Sequence, residues 1–205
     1  MSGKQKWVPH PRGVLVLAAK VGRNTLLAAF AAAPLILAVR IAYAQTDIAW
    51  TADQSTLTYH MSHPMHEVDG VSHDAKGKGV CHGGQCDFLI AVPVKSFDSG
   101  DTNRDLHMIE ATRGAQFPLI QVRAHFPQGE TGAPWIHADL DVQFAGQTAH
   151  YSQVPFQRVA EGGSVRIKGT IPLTCSDFKI DRPSFLTVPI RNEIPVRVDI
   201  LWRPN

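Results

Sequence analysis

The sequence lacks the motifs that mark the common classes of enzyme. It has no Gly-x-Ser-x-Gly nucleophile motif, no glycine-rich phosphate loop, no dinucleotide fingerprint and no Cys-x-x-Cys-His haem attachment sequence. Its three cysteines are also too few for a structural zinc site built on four cysteine ligands. These absences favour a protein that is not an enzyme.

Acidic residues are absent from the first 46 positions, whereas six of the 20 Lys and Arg residues fall there. An apolar run occupies 26–39, and the Ala-Tyr-Ala sequence at 42–44 supplies the small residues that signal peptidase reads. The run is shorter than the roughly 20 residues that cross a bilayer as a helix. The pattern predicts a cleaved signal peptide over 1–44, with an uncleaved anchor as the alternative, and export to the periplasm or the medium.

Without this leader the chain is weakly acidic. The predicted mature part, 45–205, holds 14 basic and 18 acidic residues, a net charge of −4, against +2 for the whole sequence. The positive charge therefore belongs to the leader and gives no support for nucleic-acid binding. The length of the mature part suits one domain with a single core.

Alternation of apolar and polar residues dominates the mature part. Segments 136–144, 165–173 and 194–202 have an apolar residue at almost every second position, which is typical of a strand with one buried face. Five stretches are less regular but still strand-like: 57–60, 76–80, 86–94, 119–126 and 149–158. About eight antiparallel strands are predicted. A closed barrel would remove exposed edges, and a two-sheet sandwich fits the periodicity equally well.

One segment departs from the strand pattern. Apolar residues at helical spacing occupy 101–115, with Asp101 as a candidate N-cap and Gly114 near the end. We therefore expect one short helix between two strands.

The Gly83-Gly84 pair predicts a two-residue hairpin turn, because glycine tolerates the positive φ angles of such turns. In that register Cys81 faces Cys86 in a pair whose Cα atoms lie about 4.5 Å apart, close enough for a disulfide. We predict a Cys81–Cys86 bridge. Cys175 has no partner and is either a buried small hydrophobe or a thiol open to modification.

The sequence of 96–108 is Ser-Phe-Asp-Ser-Gly-Asp-Thr-Asn-Arg-Asp-Leu-His-Met. It resembles the signature of the YceI-like family, in which Ser-x-Asp-Ser/Thr and a short spacer precede Arg-Asp-x-His. The likeness continues through an aromatic-Pro step at 117–122, a Gly-rich turn at 162–170 and a Ser-Asp-Phe stretch at 175–180. It covers nearly all of 46–202.

The resemblance implies an all-β protein, an eight-stranded antiparallel, lipocalin-like barrel with one short helical insertion. It also implies a lumen that holds a polyisoprenoid or similar long-chain amphiphile, often in a homodimer. The chain departs from the family pattern in two places. The segment 107–118 is shorter than usual, and His-Met-Ser-His-Pro-Met-His at 60–66 replaces an aromatic-glycine element.

With this resemblance, the apolar strand faces become candidate walls for an isoprenoid, quinone or fatty-acyl chain, each buried methylene of which contributes about 0.8 kcal/mol. Read from pattern alone, the same residues would fill a dry core. No cofactor other than such a lipid is indicated. The candidate lumen residues are Leu57, Tyr59, Phe88, Ile90, Val92, Ile120, Val122, Phe144, Ile167, Val196 and Val198.

The signature residues Asp98, Arg104, Asp105 and His107 are interpreted as structural. Neighbouring residues on a helix point about 100° apart, so Arg104 and Asp105 do not easily converge on one reacting atom. We expect the charged pair and the imidazole to satisfy backbone groups and to fix the helix over one end of the barrel.

Five of the ten histidines fall within 60–82. His60, His63 and His66 are candidate metal ligands, because imidazole is the commonest metal-binding side chain. The alternative function is accordingly a periplasmic metal-binding protein. Pro64 and Gly70, however, predict that this segment is a solvated loop.

Overall fold

The computed structural model describes residues 47–185 and 187–205. The predicted signal peptide at 1–44 lies outside the described residues. None of the helices in the described part combines the length and the apolar character that crossing a bilayer requires.

The described residues form eleven strands, one α-helix (α1, Thr102–Ala111) and three short 3-10 turns, at Val94–Ser96, Gln128–Gly132 and Ser176–Phe178. The strands are β1 (Ile48–His63), β2 (His66–Ser72), β3 (Lys76–His82), β4 (Gln85–Pro93), β5 (Leu119–Pro127), β6 (Trp135–Phe144), β7 (Gln147–Glu161), β8 (Ser164–Ile171), β9 (Ser184–Phe185), β10 (Val188–Pro189) and β11 (Val196–Pro204).

Eight of these strands close into a barrel. The order is β11-β8-β7-β6-β5-β4-β3-β1, every pair is antiparallel, and β1 pairs with β11 to complete the ring. Closure satisfies the backbone groups that a sandwich would leave at its sheet edges. The predicted eight-stranded antiparallel barrel with one short helix is therefore confirmed, and the two-sheet sandwich was the wrong alternative.

The connections define two ends of the barrel. At the hairpin end, short turns join β3 to β4, β5 to β6 and β7 to β8. At the helix end lie α1, between β4 and β5, the β6–β7 turn, and the segment 172–195 that carries β9 and β10 between β8 and β11.

The β3–β4 hairpin has the predicted turn and the predicted disulfide. Gly83 and Gly84 take φ angles of 60° and 88°, and Cys81 lies opposite Cys86 in the strand register. The two sulfurs are bonded, with the Cα atoms 4.0 Å apart. Both cysteines are buried in the core, so the bridge ties the hairpin end from inside.

We expect the double substitution Cys81→Ala, Cys86→Ala to lower the free energy of unfolding by about 2 kcal/mol, the chain-entropy value for a very short loop. Urea denaturation with and without a reductant measures this difference. Reductant is expected to weaken the wild type by a similar amount and to leave the double variant unchanged. The prediction would be contradicted if full reduction of the bridge left the urea midpoint of the wild type unchanged.

The histidine-rich segment is not a loop, and that prediction was wrong. β1 continues to His63, Pro64 and Met65 form the turn, and β2 returns from His66. Proline suits this turn because its fixed φ angle is the one that turns require. Gly70 lies beneath the ring of Tyr59, where a Cβ atom would come 2.2 Å from a ring carbon. Both residues that suggest a loop are thus compatible with a hairpin.

A β-bulge interrupts β7 opposite β6. The register shifts by one residue there, and Gln153 takes a positive φ of 53°. Asp139 stabilises the bulge, since its Oδ1 accepts from the backbone N–H of Gln153 at 2.9 Å. This backbone bond, the largest contribution, holds the pKa of Asp139 below its usual value. Because side chains alternate along a strand, the extra residue reverses which positions face inwards on the rest of β7.

Candidate functional site

The inward faces of the barrel strands enclose a cavity, the lumen, of about 140 Å³. All of the predicted lumen residues except Tyr59 and Phe144 line it. The walls are apolar apart from two side chains, Thr131 and Arg158, both at the hairpin end. Contact of these residues with a ligand stays a prediction.

Several wall residues were missed by sequence reasoning. An aromatic cluster forms part of the wall: the Phe88 ring meets the Trp202 ring edge-on at 4.7 Å between centroids and stacks on Phe126 at 5.5 Å. Trp50 also lines the lumen, but it precedes the short strand predicted at 57–60. Trp202 and Ile200 belong to the regular alternation of apolar residues on β11, and this pattern could have identified them as wall residues.

A second cavity of about 260 Å³, the helix-end cavity, lies between α1, the β1–β2 hairpin and the segment 172–195. Tyr59 and Phe144 line this cavity rather than the lumen. The two cavities adjoin, since four residues line both: Phe97, Ile120, Leu173 and Val196. Together they offer about 400 Å³, within the range of small-molecule binding sites.

The acidic signature residues order the turn that precedes α1. Asp105 Oδ1 accepts from the backbone N–H and the hydroxyl of Ser99, at 3.1 and 2.6 Å. Asp98 exchanges two backbone hydrogen bonds with Val71 of β2, and its Oδ1 accepts from the N–H of Gly100 at 2.7 Å. These contacts fasten the start of α1 to the outer strand of the β1–β2 hairpin.

The N-terminus of α1 is capped as the sequence predicts. Asp101 Oδ1 accepts from the backbone N–H groups of Asn103 and Arg104, each at 3.0 Å. A carboxylate at this position satisfies two donors that would otherwise have no partner in the helix. The cap fixes the first turn of α1 and, with it, the base of the Arg104 side chain.

Arg104 and His107 do not satisfy backbone groups as expected; both line the helix-end cavity. Arg104 Nε is buried without a hydrogen-bond partner, and the nearest carboxylate oxygen, Oδ2 of Asp101, lies 3.8 Å from its Nη2. Burial, and then the negative charge of Asp105, raise the pKa of the nearby Tyr59 above its usual value. The cavity therefore has a mostly apolar wall, with polar side chains contributed by α1 and by the β1–β2 hairpin.

The three candidate metal ligands are not brought together. His60 Nδ1 lies 2.8 Å from Asp69 Oδ1. In the buried His63 ring, Nδ1 accepts from the N–H of Met65, so Nε2 carries the proton and donates to the carbonyl of Val188. Only His63 and His66 are adjacent, with ring centroids 5.1 Å apart. Within 47–185 and 187–205, no three His, Cys, Asp or Glu side chains group as metal ligands.

Cys175, the remaining cysteine, is buried and lines the helix-end cavity. Burial raises the pKa of its thiol above the usual value. Because the thiolate is the reactive form, this cysteine acts as a small apolar wall residue.

The fold and its cavities define a closed antiparallel β-barrel with an apolar interior, capped by a single helix. The chain belongs to the YceI-like family: the family model for the YceI-like domain matches residues 48–201. The resemblance seen in the signature is therefore confirmed. No curated protein shows significant similarity to the sequence.

Two solved structures share the fold at low sequence identity. BcnA from Burkholderia cenocepacia is 13% identical with a TM-score of 0.62, and the alignment covers 72% of this chain and 95% of BcnA. A polyisoprenoid binding domain from Saccharophagus degradans, implicated in plant cell wall breakdown, is 12% identical with a TM-score of 0.62. That alignment covers 77% of this chain and 99% of the domain. At these identities the likeness supports the barrel alone.

Proposed function

We propose that the protein is an exported carrier that binds a long-chain apolar ligand, of the polyisoprenoid, quinone or fatty-acyl type, in the barrel lumen. The observation that carries the proposal is the apolar lumen itself, which adjoins the helix-end cavity across four shared wall residues. A hydrocarbon chain binds in a long apolar space of this kind. In a barrel without a ligand, we would expect side chains to fill that space.

The energetics favour a chain-like ligand over water. Apolar cavities offer water no hydrogen-bond partners and stay dry or take up hydrocarbons. Each methylene that enters gains about 0.8 kcal/mol, so a long tail binds well with few polar contacts. On β11 the lining residues extend from Val196 to Trp202, about 20 Å along the strand.

The family and its structures lend support. The Saccharophagus domain is described as polyisoprenoid binding, and this chain belongs to the YceI-like family. The contacts of those residues also favour binding over catalysis. The Asp105 carboxylate is engaged by Ser99, while the Arg104 side chain borders the cavity, so the two do not meet at one atom.

We expect the protein to emerge from an exporting host with a lipid bound. Native mass spectrometry followed by organic extraction would identify a released isoprenoid, quinone or fatty acid. The intact mass of the same sample locates the N-terminus, expected at Gln45, and the native mass tests for the homodimer that the resemblance implies. A control sample is stripped of lipid and refilled with hexadecanoate.

Two results would contradict the carrier function. One is a protein that emerges empty and binds no long-chain probe after stripping. The other is a retained metal ion with no lipid, which would favour the alternative based on the histidines.

A further inference from the structure

Only two buried side-chain nitrogen or oxygen atoms in the described part of the chain have no hydrogen-bond partner. Both are arginine Nε atoms, and each borders one of the two cavities: Arg104 the helix-end cavity and Arg158 the lumen. Buried polar groups are almost always paired, so the coincidence of two such atoms with the two cavities calls for a physical explanation.

Arg158 is the more isolated of the two. Its backbone N–H donates to the carbonyl of Pro134 at 2.8 Å, which fixes β7, but among the described residues its side chain makes no hydrogen bond and no ion pair. An arginine side chain keeps its charge under all ordinary conditions. The wall of the apolar lumen therefore carries, at the hairpin end, one positive charge with no carboxylate partner among the described residues.

The fold directs this charge inwards through the bulge in β7. Before the bulge, Ala149 and Tyr151 pack against the core, and after it Val154 and Phe156 do so. Arg158 continues the second series and lies opposite Ile167, another lumen residue. Without the extra residue at Gln153, Arg158 would face solvent. The bulge thus places a charged residue in the wall of the apolar lumen.

The other polar side chain of the lumen wall does not assist in anion binding. Thr131 lines the lumen, but its hydroxyl donates its single proton to the carbonyl of Gln128 at 2.8 Å, so Arg158 is the donor that remains for an anion. Arg104 is less suited, because the carboxylate of Asp101 lies 3.8 Å away and Asp105 is close enough to influence Tyr59. Of the two arginines that line the cavities, Arg158 is therefore the one without a nearby carboxylate.

We propose that Arg158 binds the anionic head group, a carboxylate or a phosphate, of the carried amphiphile, whose tail extends through the lumen towards the helix-end cavity. The arginine fork matches both groups in bidentate geometry. The inference rests on the proposed carrier function and adds the head-group chemistry and the orientation of the ligand. The competing explanation is that Arg158 only packs its aliphatic stem along the wall and keeps its charge in water.

The test uses three probes with one tail: hexadecanoate, hexadecyl phosphate and hexadecanol. Their dissociation constants are measured by calorimetry on the stripped protein. Arg158→Met keeps the length of the stem and removes the charge, and Arg158→Lys keeps a charge. Arg104→Met tests the other cavity arginine, and Arg123→Met, on the exposed face of β5, is the matched control. Thermal unfolding of each variant checks the fold.

The wild type is expected to prefer both anionic probes to hexadecanol. Arg158→Met should weaken the anionic probes by about tenfold or more, as for a lost hydrogen bond to a charged group, and leave hexadecanol within about twofold. Arg158→Lys should retain part of the preference, and the control Arg123→Met should retain it fully. Whichever anionic probe binds more tightly identifies the head group as a carboxylate or a phosphate.

Three results would overturn the proposal: a wild type with no preference for the anionic probes, an equal loss for all three probes in Arg158→Met, or a selective loss in Arg104→Met instead. The first of these results is measured on the wild type, so the proposal can be tested even if a variant fails to fold. If the wild type binds none of the probes, the carrier function fails and this inference fails with it. Normal binding of hexadecanol separates the two failures.

Discussion

Replacing Phe178 by alanine is expected to lower the free energy of unfolding by about 3–5 kcal/mol, the usual range for a fully buried phenylalanine. Phe178 has no exposed surface. Its ring meets that of Phe144 edge-on at 5.3 Å between centroids, and its carbonyl accepts from Arg113 Nη2 at 3.1 Å. It therefore ties the segment 172–195 to β6 and to the turn after α1.

Urea denaturation of the substituted protein measures this loss, and a melting temperature lowered by roughly 10 °C should accompany it. Leu106→Ala is the matched control, because Leu106 lies on α1 with 53% of its surface exposed and should change stability by no more than about 0.5 kcal/mol. A Phe178→Ala protein within about 1 kcal/mol of the wild type would show that the segment does not depend on this side chain.

The same substitution is expected to weaken ligand binding only indirectly. Phe178 does not line either cavity, but its partner Phe144 lines the helix-end cavity. Loss of the Phe178 ring is expected to free Phe144 to move and so to change the shape of that cavity. For the Phe144–Phe178 contact, the unfolding measurement therefore reports on the burial of Phe178, and the binding measurement reports on the position of Phe144.

The regular strands could be predicted from sequence because they lack interruptions. β6 has one buried face and no bulge of its own, so its apolar residues fall at every second position, and the predicted range 136–144 differs from Trp135–Phe144 by one residue. The disulfide was predictable for a related reason: Cys81 and Cys86 are five residues apart, so local turn chemistry alone determines their pairing.

Other features depend on contacts between residues far apart in the sequence, and no local pattern reveals them. The bulge at Gln153 is stabilised by Asp139, 14 residues earlier, so the inward direction of Arg158 could not be read from the alternation. Gly70 suggests a loop until the ring of Tyr59 is placed above it. A filled core and a hollow lumen also give the same pattern, since both require apolar residues facing inwards.

Replacing Ala138 by phenylalanine is expected to abolish binding of long-chain ligands, with a loss of affinity of about a hundredfold or more, or about 2.7 kcal/mol. Ala138 is buried on β6 and lines the lumen. A cavity of about 150 Å³ holds one benzene molecule, so one added phenyl ring occupies most of the 140 Å³ lumen. Overpacking should lower the free energy of unfolding by about 1–3 kcal/mol, which leaves the barrel folded.

Calorimetry with hexadecanoate and hexadecanol measures the effect, and Thr170→Phe provides the control, since Thr170 lies on the outer face of β8 and is exposed. Ala138→Phe should weaken both probes equally because it blocks the space for the tail, whereas Arg158→Met should discriminate between their head groups. Full affinity in a folded Ala138→Phe protein would place the ligand outside the lumen. The two substitutions together therefore separate where the tail lies from what holds the head group.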